Sequence, residues 1–330
     1  MYRFYYSVYG PYIEQYLDIQ RTLGFKPKER NSILVAFDRL AQERDEVVIG
    51  ISKEFANEWG KKTMNESEIN RYKRIQGVRL FALFLCKIGH PSYIAQLPKL
   101  KTSFTPYIFT DGQIQALFYA CDQLNIRTTN RSTAFIIPAL FRLLYSTGLR
   151  ISEALSLICQ DVNLKERYLI VRNSKNGLDR MVPISDTLAV ICREYLEHRN
   201  RYSRLIYNMS DLFFINADGK KCSVDTIYNW FRRVLKQAGI SHGGRGVGPR
   251  IHDFRHTFAC RSLADMAEKG LDLYYSLPIL STYLGHRSLA ATDGYIRLTA
   301  QMYPGIAAKI NELASDLVPN ISNLNDHEAN

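Results

Sequence analysis

Three short stretches hold residue types suited to chemistry on a phosphate ester. Ser146-Thr147-Gly148-Leu149-Arg150-Ile151-Ser152-Glu153 sets an arginine at a glycine-containing turn, with an acid one helical turn on. His252-Asp253-Phe254-Arg255 spaces an imidazole and a guanidinium so that a helix would put both on one face. Leu284-Gly285-His286 is followed nine positions after the histidine by Tyr295. Attack on a phosphodiester builds negative charge on the non-bridging oxygens. Two guanidinium groups suit that charge, because each stays ionised and donates a planar pair of hydrogen bonds. Arg150 and Arg255 are the candidates for it, and Tyr295 is the candidate nucleophile. A phenol has an ordinary pKa of about 10 and needs help to lose its proton. Nearby arginine charge lowers that value, and a histidine can accept or relay the proton. The leaving sugar oxygen must gain a proton, and Lys175, at a hairpin tip, is placed to act as that acid. Glu153 either pins Arg150 in a buried pair or stands as an ordinary surface acid.

Each stretch alone is weak. H-x-x-R arises by chance, and a single histidine is more often structural. All three in one order, with a lysine hairpin between the first two, are specific. The bulk composition agrees. The chain has 330 residues, 46% of them hydrophobic, enough for one large core or two smaller ones. Its 43 Lys and Arg against 32 Asp and Glu leave +11, which favours an anionic partner. The six cysteines are scattered without a C-x-x-C pair, so neither a zinc site nor a disulfide scaffold fits. Most lie in apolar surroundings, as Cys86 does after Leu83-Phe84-Leu85, and read as reduced core thiols. The aromatic N-terminus is broken by Gly10-Pro11 and is no signal peptide. No apolar run reaches membrane-spanning length. A cytoplasmic, nucleoid-associated protein without membrane contact is expected.

The elements that must position these residues fall into two groups. Residues 1–102 read as all helix: Tyr12–Leu23 stopped by Gly24, Asn31–Gln42, Lys53–Trp59 closed by Gly60, and Ser67–Ile88 before Gly89. Lys61, Lys62, Arg71, Lys73 and Arg74 crowd the start of the last helix as a solvated or phosphate-facing cluster. A linker with Pro98 and Pro106 follows, carrying Lys99 and Lys101, which are placed to lie along a DNA backbone. Beyond it the pattern is mixed. A helix capped by Thr110, an apolar helix over 132–146 and a short helix over 152–157 precede two strands. The strands, Tyr168–Val171 and Met181–Ile184, flank the turn at Asn173–Gly177. Helices return after Ser185, near Asp225–Ala238 and after His252; the glycine-rich stretch Gly239–Gly248 lacks the setting of a phosphate cradle and reads as a loop. The fold class is mostly α with a small antiparallel sheet, α+β, in the second domain.

With these motifs in hand, the chain resembles the tyrosine recombinases, the phage integrase family. Arg150 matches the family's first arginine, with Glu153 after it, and Lys175 its hairpin lysine. His252 and Arg255 match its H-x-x-R box, His286 its second histidine and Tyr295 its nucleophile. The resemblance implies a core-binding helical domain at 1–102, a catalytic domain at 103–300 and a tail at 301–330 whose helix docks on a neighbouring protomer. It implies an Xer-like, C-shaped DNA clamp without an arm-binding module. It implies strand cleavage and exchange with neither metal nor cofactor, through a 3′-phosphotyrosyl bond and a Holliday junction. Its partners would be a double-stranded recombination site, a homotetramer on two such sites and accessory DNA-bending proteins. The alternatives are a type IB topoisomerase-like enzyme, a non-catalytic DNA-binding protein on the same fold, and a metal nuclease built on His252, His256 and His286.

Overall fold

The computed structural model describes residues 5–25, 27–99, 105–124, 133–172, 177, 179–202, 208–244, 247–286 and 290–303. The chain divides into two compact units, Met1–Phe104 and Thr105–Asn330. Among the described residues, no helix is long and apolar enough to cross a membrane.

The first unit is helical: α1 (Gly10–Thr22), α2 (Lys28–Glu43), α3 (Lys53–Trp59) and α4 (Glu68–Lys87). Ser52 and Ser67 start α3 and α4 by accepting from Phe55 N and Asn70 N. The core is aromatic, with Tyr9, Phe37, Phe55, Trp59 and Phe81 in mutual contact and the Phe37 and Phe55 centroids 4.8 Å apart. Gly77 lets α4 approach α2: a Cβ there would stand 2.9 Å from Ile33 Cγ2. Cys86 departs from the expectation. Its helix turns the thiol outward, leaving it exposed, whereas Cys121, Cys192, Cys222 and Cys260 are buried.

The second unit holds α5 (Asp111–Asp122), α6 (Ile137–Thr147), α7 (Ile151–Ala154), α8 (Asp186–Tyr202), α9 (Val224–Gln237), α10 (Asp253–Glu268), α11 (Leu273–Leu284) and α12 (Ala290–Met302). A Thr110–Gln113 capping box opens α5. The sheet is antiparallel in the order β1 (Val162–Asn163), β2 (Tyr168–Val171), β3 (Arg180–Pro183). Leu169 pairs with Val182 on its buried face. The two-residue β1 is too short to show a period and escaped the sequence reading, as did α11, which carries Pro278 in its interior. Helix α10 is the centre of this unit and packs on α6, α11 and α12.

Candidate active site

The site begins where α6 ends. Gly148 closes α6 in the left-handed region, φ +61°, open to glycine at little cost. A side chain is also shut out by space, since a Cβ would lie 2.6 Å from the Phe258 ring and 3.1 Å from Leu284. Two residues on, Arg150 stands at the start of α7. Glu153 Oε2 accepts from Arg150 N at 3.0 Å, and Oε1 accepts from Arg150 Nη1 at 2.8 Å. Arg180, on β3, donates to the same carboxylate from Nη2 at 2.8 Å. Of the two readings of Glu153, the buried pair is therefore the one realised. Burial pushes its carboxyl up, but Arg180 and Arg150 outweigh that and hold it below the usual carboxylate range.

Helix α10 supplies the next groups. His252 sits at its N-cap and stays exposed, its ring edge-on to His256 with centroids 4.8 Å apart. Arg255 does not share that outward face. It is 1% exposed, and donates from Nη1 to Gly148 O at 2.8 Å and from Nη2 to Leu284 O at 2.6 Å. Those carbonyls end α6 and α11, where helices leave orphan acceptors and favour a cation. The H-x-x-R spacing suggested two side chains side by side. The two helix ends draw the arginine inward instead. Burial, then Arg150, push its pKa down to about 10, so it stays charged at neutral pH.

The Leu-Gly-His stretch is a helix terminator. Gly285, φ +66°, donates to Thr282 O and His286 N donates to Ser281 O, the paired bonds of a Schellman motif. Arg180 Nε holds Tyr283 O at 2.9 Å beside it. The turn presents His286, whose Nδ1 meets Thr292 Oγ1 of α12 at 2.8 Å. One helical turn further, Tyr295 lies 5% exposed, its ring stacked on His286 at 6.2 Å between centroids. Its hydroxyl is 2.9 Å from His256 Nδ1.

Electrostatically, Arg150, Arg255 and Arg180 face one carboxylate, Glu153, so the cluster has cationic charge to offer a phosphate. The phenol does not follow the expectation of a lowered pKa. Burial raises Tyr295 first, and Arg255 and Arg150 only partly offset it. His256 and His286 are both pushed down to about 4, by burial first and then by nearby cations, so both are neutral at pH 7. The structure thus brings together Arg150, Glu153, Arg255, His286 and Tyr295, with His252 at the rim. The sequence reading had no role for Arg180 and Thr292, and it placed His256 only in the metal-nuclease alternative. The i, i+4 spacing of His252 and His256 was the available signal for the latter.

Lys175 and Lys101 lie outside the described residues. The cations of the first unit are unequal. Arg74 is a structural residue: it pairs with Glu66, donates to the carbonyls of Trp59 and Lys61, and stacks 4.9 Å above the Trp59 ring. Arg71 donates to Gly60 O, while Lys62 and Lys73 make exposed pairs with Glu68 and Glu29. Such exposed pairs contribute little to stability. Lys61 and Lys99 are exposed. In the second unit the apolar side of α9 buries Ile227, Phe231, Val234 and Leu235, and its outer side lines a concavity of about 680 Å³ with Arg232, Arg233 and Lys236.

Comparison with known proteins places this geometry in a family. The phage integrase family model matches residues 108–302, well over half of the chain, and the protein belongs to that family, the tyrosine recombinases. It is similar to a provisionally assigned integrase/recombinase of Sinorhizobium fredii, y4rB, at 30% identity over 294 residues, 88% of this chain and 93% of the relative. It is 26% identical over 272 residues to tyrosine recombinase XerC of Chlamydia caviae, 80% of each chain. The fold is shared with the Tn1549 transposon integrase in complex with circular intermediate DNA, TM-score 0.63 at 19% identity, covering 86% of this chain and 94% of that one. It is also shared with XerH recombinase bound to a palindromic difH substrate, TM-score 0.61 at 17% identity, covering 85% and 78%.

Proposed function

We propose that the protein is a site-specific DNA recombinase that cleaves and exchanges strands through Tyr295. One observation carries the reading: α6–α7, α10, α11 and α12 deliver Arg150, Arg255, His286 and Tyr295 into one cluster with surplus cationic charge. Tyr295 Oη attacks the scissile phosphate, forms a 3′-phosphotyrosyl bond and releases a 5′-hydroxyl. Arg150 and Arg255 hold the charge that develops on the phosphate oxygens, His252 and His286 bond those oxygens, and Lys175 protonates the leaving oxygen. The 5′-hydroxyl of a partner strand reverses the step, and the covalent bond conserves the energy, so neither ATP nor metal enters. Four protomers on two sites pass through a Holliday junction, with accessory DNA-bending proteins where the site requires them. Residues 1–102 act as the core-binding domain, 103–300 as the catalytic domain and 301–330 as the docking tail. Contacts to the DNA backbone come from Lys61, Lys62, Lys73, Lys99 and Lys101, and from Arg232, Arg233 and Lys236 on α9. The enzyme works in the cytoplasm, on the nucleoid.

The test uses nicked duplexes randomised in sequence, on which cleavage traps the protein. The expected result is a covalent protein–DNA adduct that forms in strong chelator and is lost in Tyr295→Phe, while that variant still binds DNA. An adduct that survives the substitution, or needs a divalent cation, overturns the reading. Sequencing the trapped DNA would reveal the site.

A further inference from the structure

We propose that His256 is the base that takes the phenolic proton of Tyr295. The inference rests on Tyr295 being the nucleophile. It adds a residue outside the set that carries the family resemblance. The geometry is direct. Nδ1 of His256 lies 2.9 Å from the Tyr295 hydroxyl, within proton-transfer reach, whereas the Nδ1 of His286 is engaged by Thr292. On the other side of the ring, Nε2 lies 3.9 Å from Asp253 Oδ1. That is beyond hydrogen-bond reach, and the negative charge there biases the ring towards the tautomer with the proton on Nε2, which leaves Nδ1 to accept from the phenol. Asp253 is itself buried and fixed by Arg250, which donates to it from N at 2.7 Å and from Nη2 at 2.9 Å. An imidazole nitrogen bonded to the hydroxyl repeats the logic of an activated nucleophile, with tyrosine in the nucleophile's place.

The groups facing His256 are Asp253, Arg250, Arg255 and His252 from α10 and the turn before it, His286 beyond α11, and Tyr295 from α12. Burial first, then Arg250, Arg255 and His286, keep the imidazole unprotonated at neutral pH, as a base must be. Weak basicity suits the task. As the Oη–P bond forms, the phenolic proton becomes far more acidic than an imidazolium, so its transfer turns downhill within the step. The step balances. Oη–P forms and P–O5′ breaks; the phenolic proton passes to Nδ1, and the leaving O5′ takes its proton from the site's acid. On rejoining, the imidazolium returns its proton to the phenoxide as Oη–P breaks.

The experiment measures single-turnover adduct formation by the full chain on a duplex recovered from the trapped pool. A second duplex carries sulfur at the bridging 5′ position, whose thiolate leaves without an acid. His256→Ala should slow the adduct by about a hundredfold or more on both duplexes, with DNA affinity unchanged. Added imidazole should restore part of the rate. His256→Asn offers Tyr295 an amide acceptor in place of Nδ1 but no base. It should keep the melting temperature and remain as slow as the alanine variant, and it decides the matter if His256→Ala does not fold. Wild-type or faster cleavage by either variant would show that the bond only positions or parks the phenol, and would overturn the proposal. So would a defect that vanishes on the sulfur duplex, which marks an acid. Failure of the underlying reading looks different: Tyr295→Phe would then still form the adduct, whatever His256 does.

Discussion

The arginines and the histidines of the cluster are built on opposite electrostatic terms. Arg150, Arg180 and Arg255 are fixed in place because a carboxylate and three helix-end carbonyls receive their donors. His256 and His286 sit among the same cations and lose their charge, because burial and those cations both disfavour imidazolium. One half is fixed in its charged form, and the other is left neutral at pH 7. Chemistry on a phosphodiester by a tyrosine needs both, and the fold separates them by what each side chain's nitrogens touch.

Substitutions that remove the charge-holding partners should break this contrast with the largest effects. Arg255→Met would strand two buried carbonyls and should cost about 2–5 kcal/mol of stability, read by denaturant unfolding. It should also abolish measurable cleavage. Glu153→Gln leaves Arg150 and Arg180 without their counter-charge and should cost about 2–4 kcal/mol. A loss below 1 kcal/mol there would mean that the hub is not what holds the arginines. Gly148→Ala forces a Cβ into Phe258 in a left-handed turn and should cost about 1–3 kcal/mol.

The neutral half is tested by pH. The folded-state values of His256 and His286, about 4, lie below the unfolded value of about 6.5. The unfolded chain therefore binds protons first. The stability due to these neutral rings is complete above about pH 6.5 and is lost as pH falls towards 4. Thermal melts from pH 7 to 4 should show that decline, and His256→Asn should flatten part of it. The smallest effect separates two surfaces. Arg232→Ala with Arg233→Ala should lower the salt slope of DNA binding by about 2 with little change in stability. Arg74→Ala should do the reverse, because its guanidinium is spent inside the first unit.

Much of this was legible in the sequence, and the exceptions have physical causes. The helices of the first unit, the β2–β3 pair and the residues Arg150, Glu153, His286 and Tyr295 follow from periodicity, capping residues and motif spacing. The burial of Arg255 does not, because it depends on where the ends of α6 and α11 meet, more than a hundred residues apart in the chain. The raised pKa of Tyr295 was hidden for the same reason: arginine charge can be read from composition, but desolvation requires the packed structure. His256 was visible as a residue and not as a partner, since its contact spans 39 positions.

The central claim is that Tyr295, one of 21 tyrosines, is the nucleophile. Protease digestion of the trapped adduct followed by mass spectrometry tests it most directly. The account predicts a nucleotide phosphate on the peptide that contains Tyr295 and on no other. A modified tyrosine, serine or histidine elsewhere would contradict it.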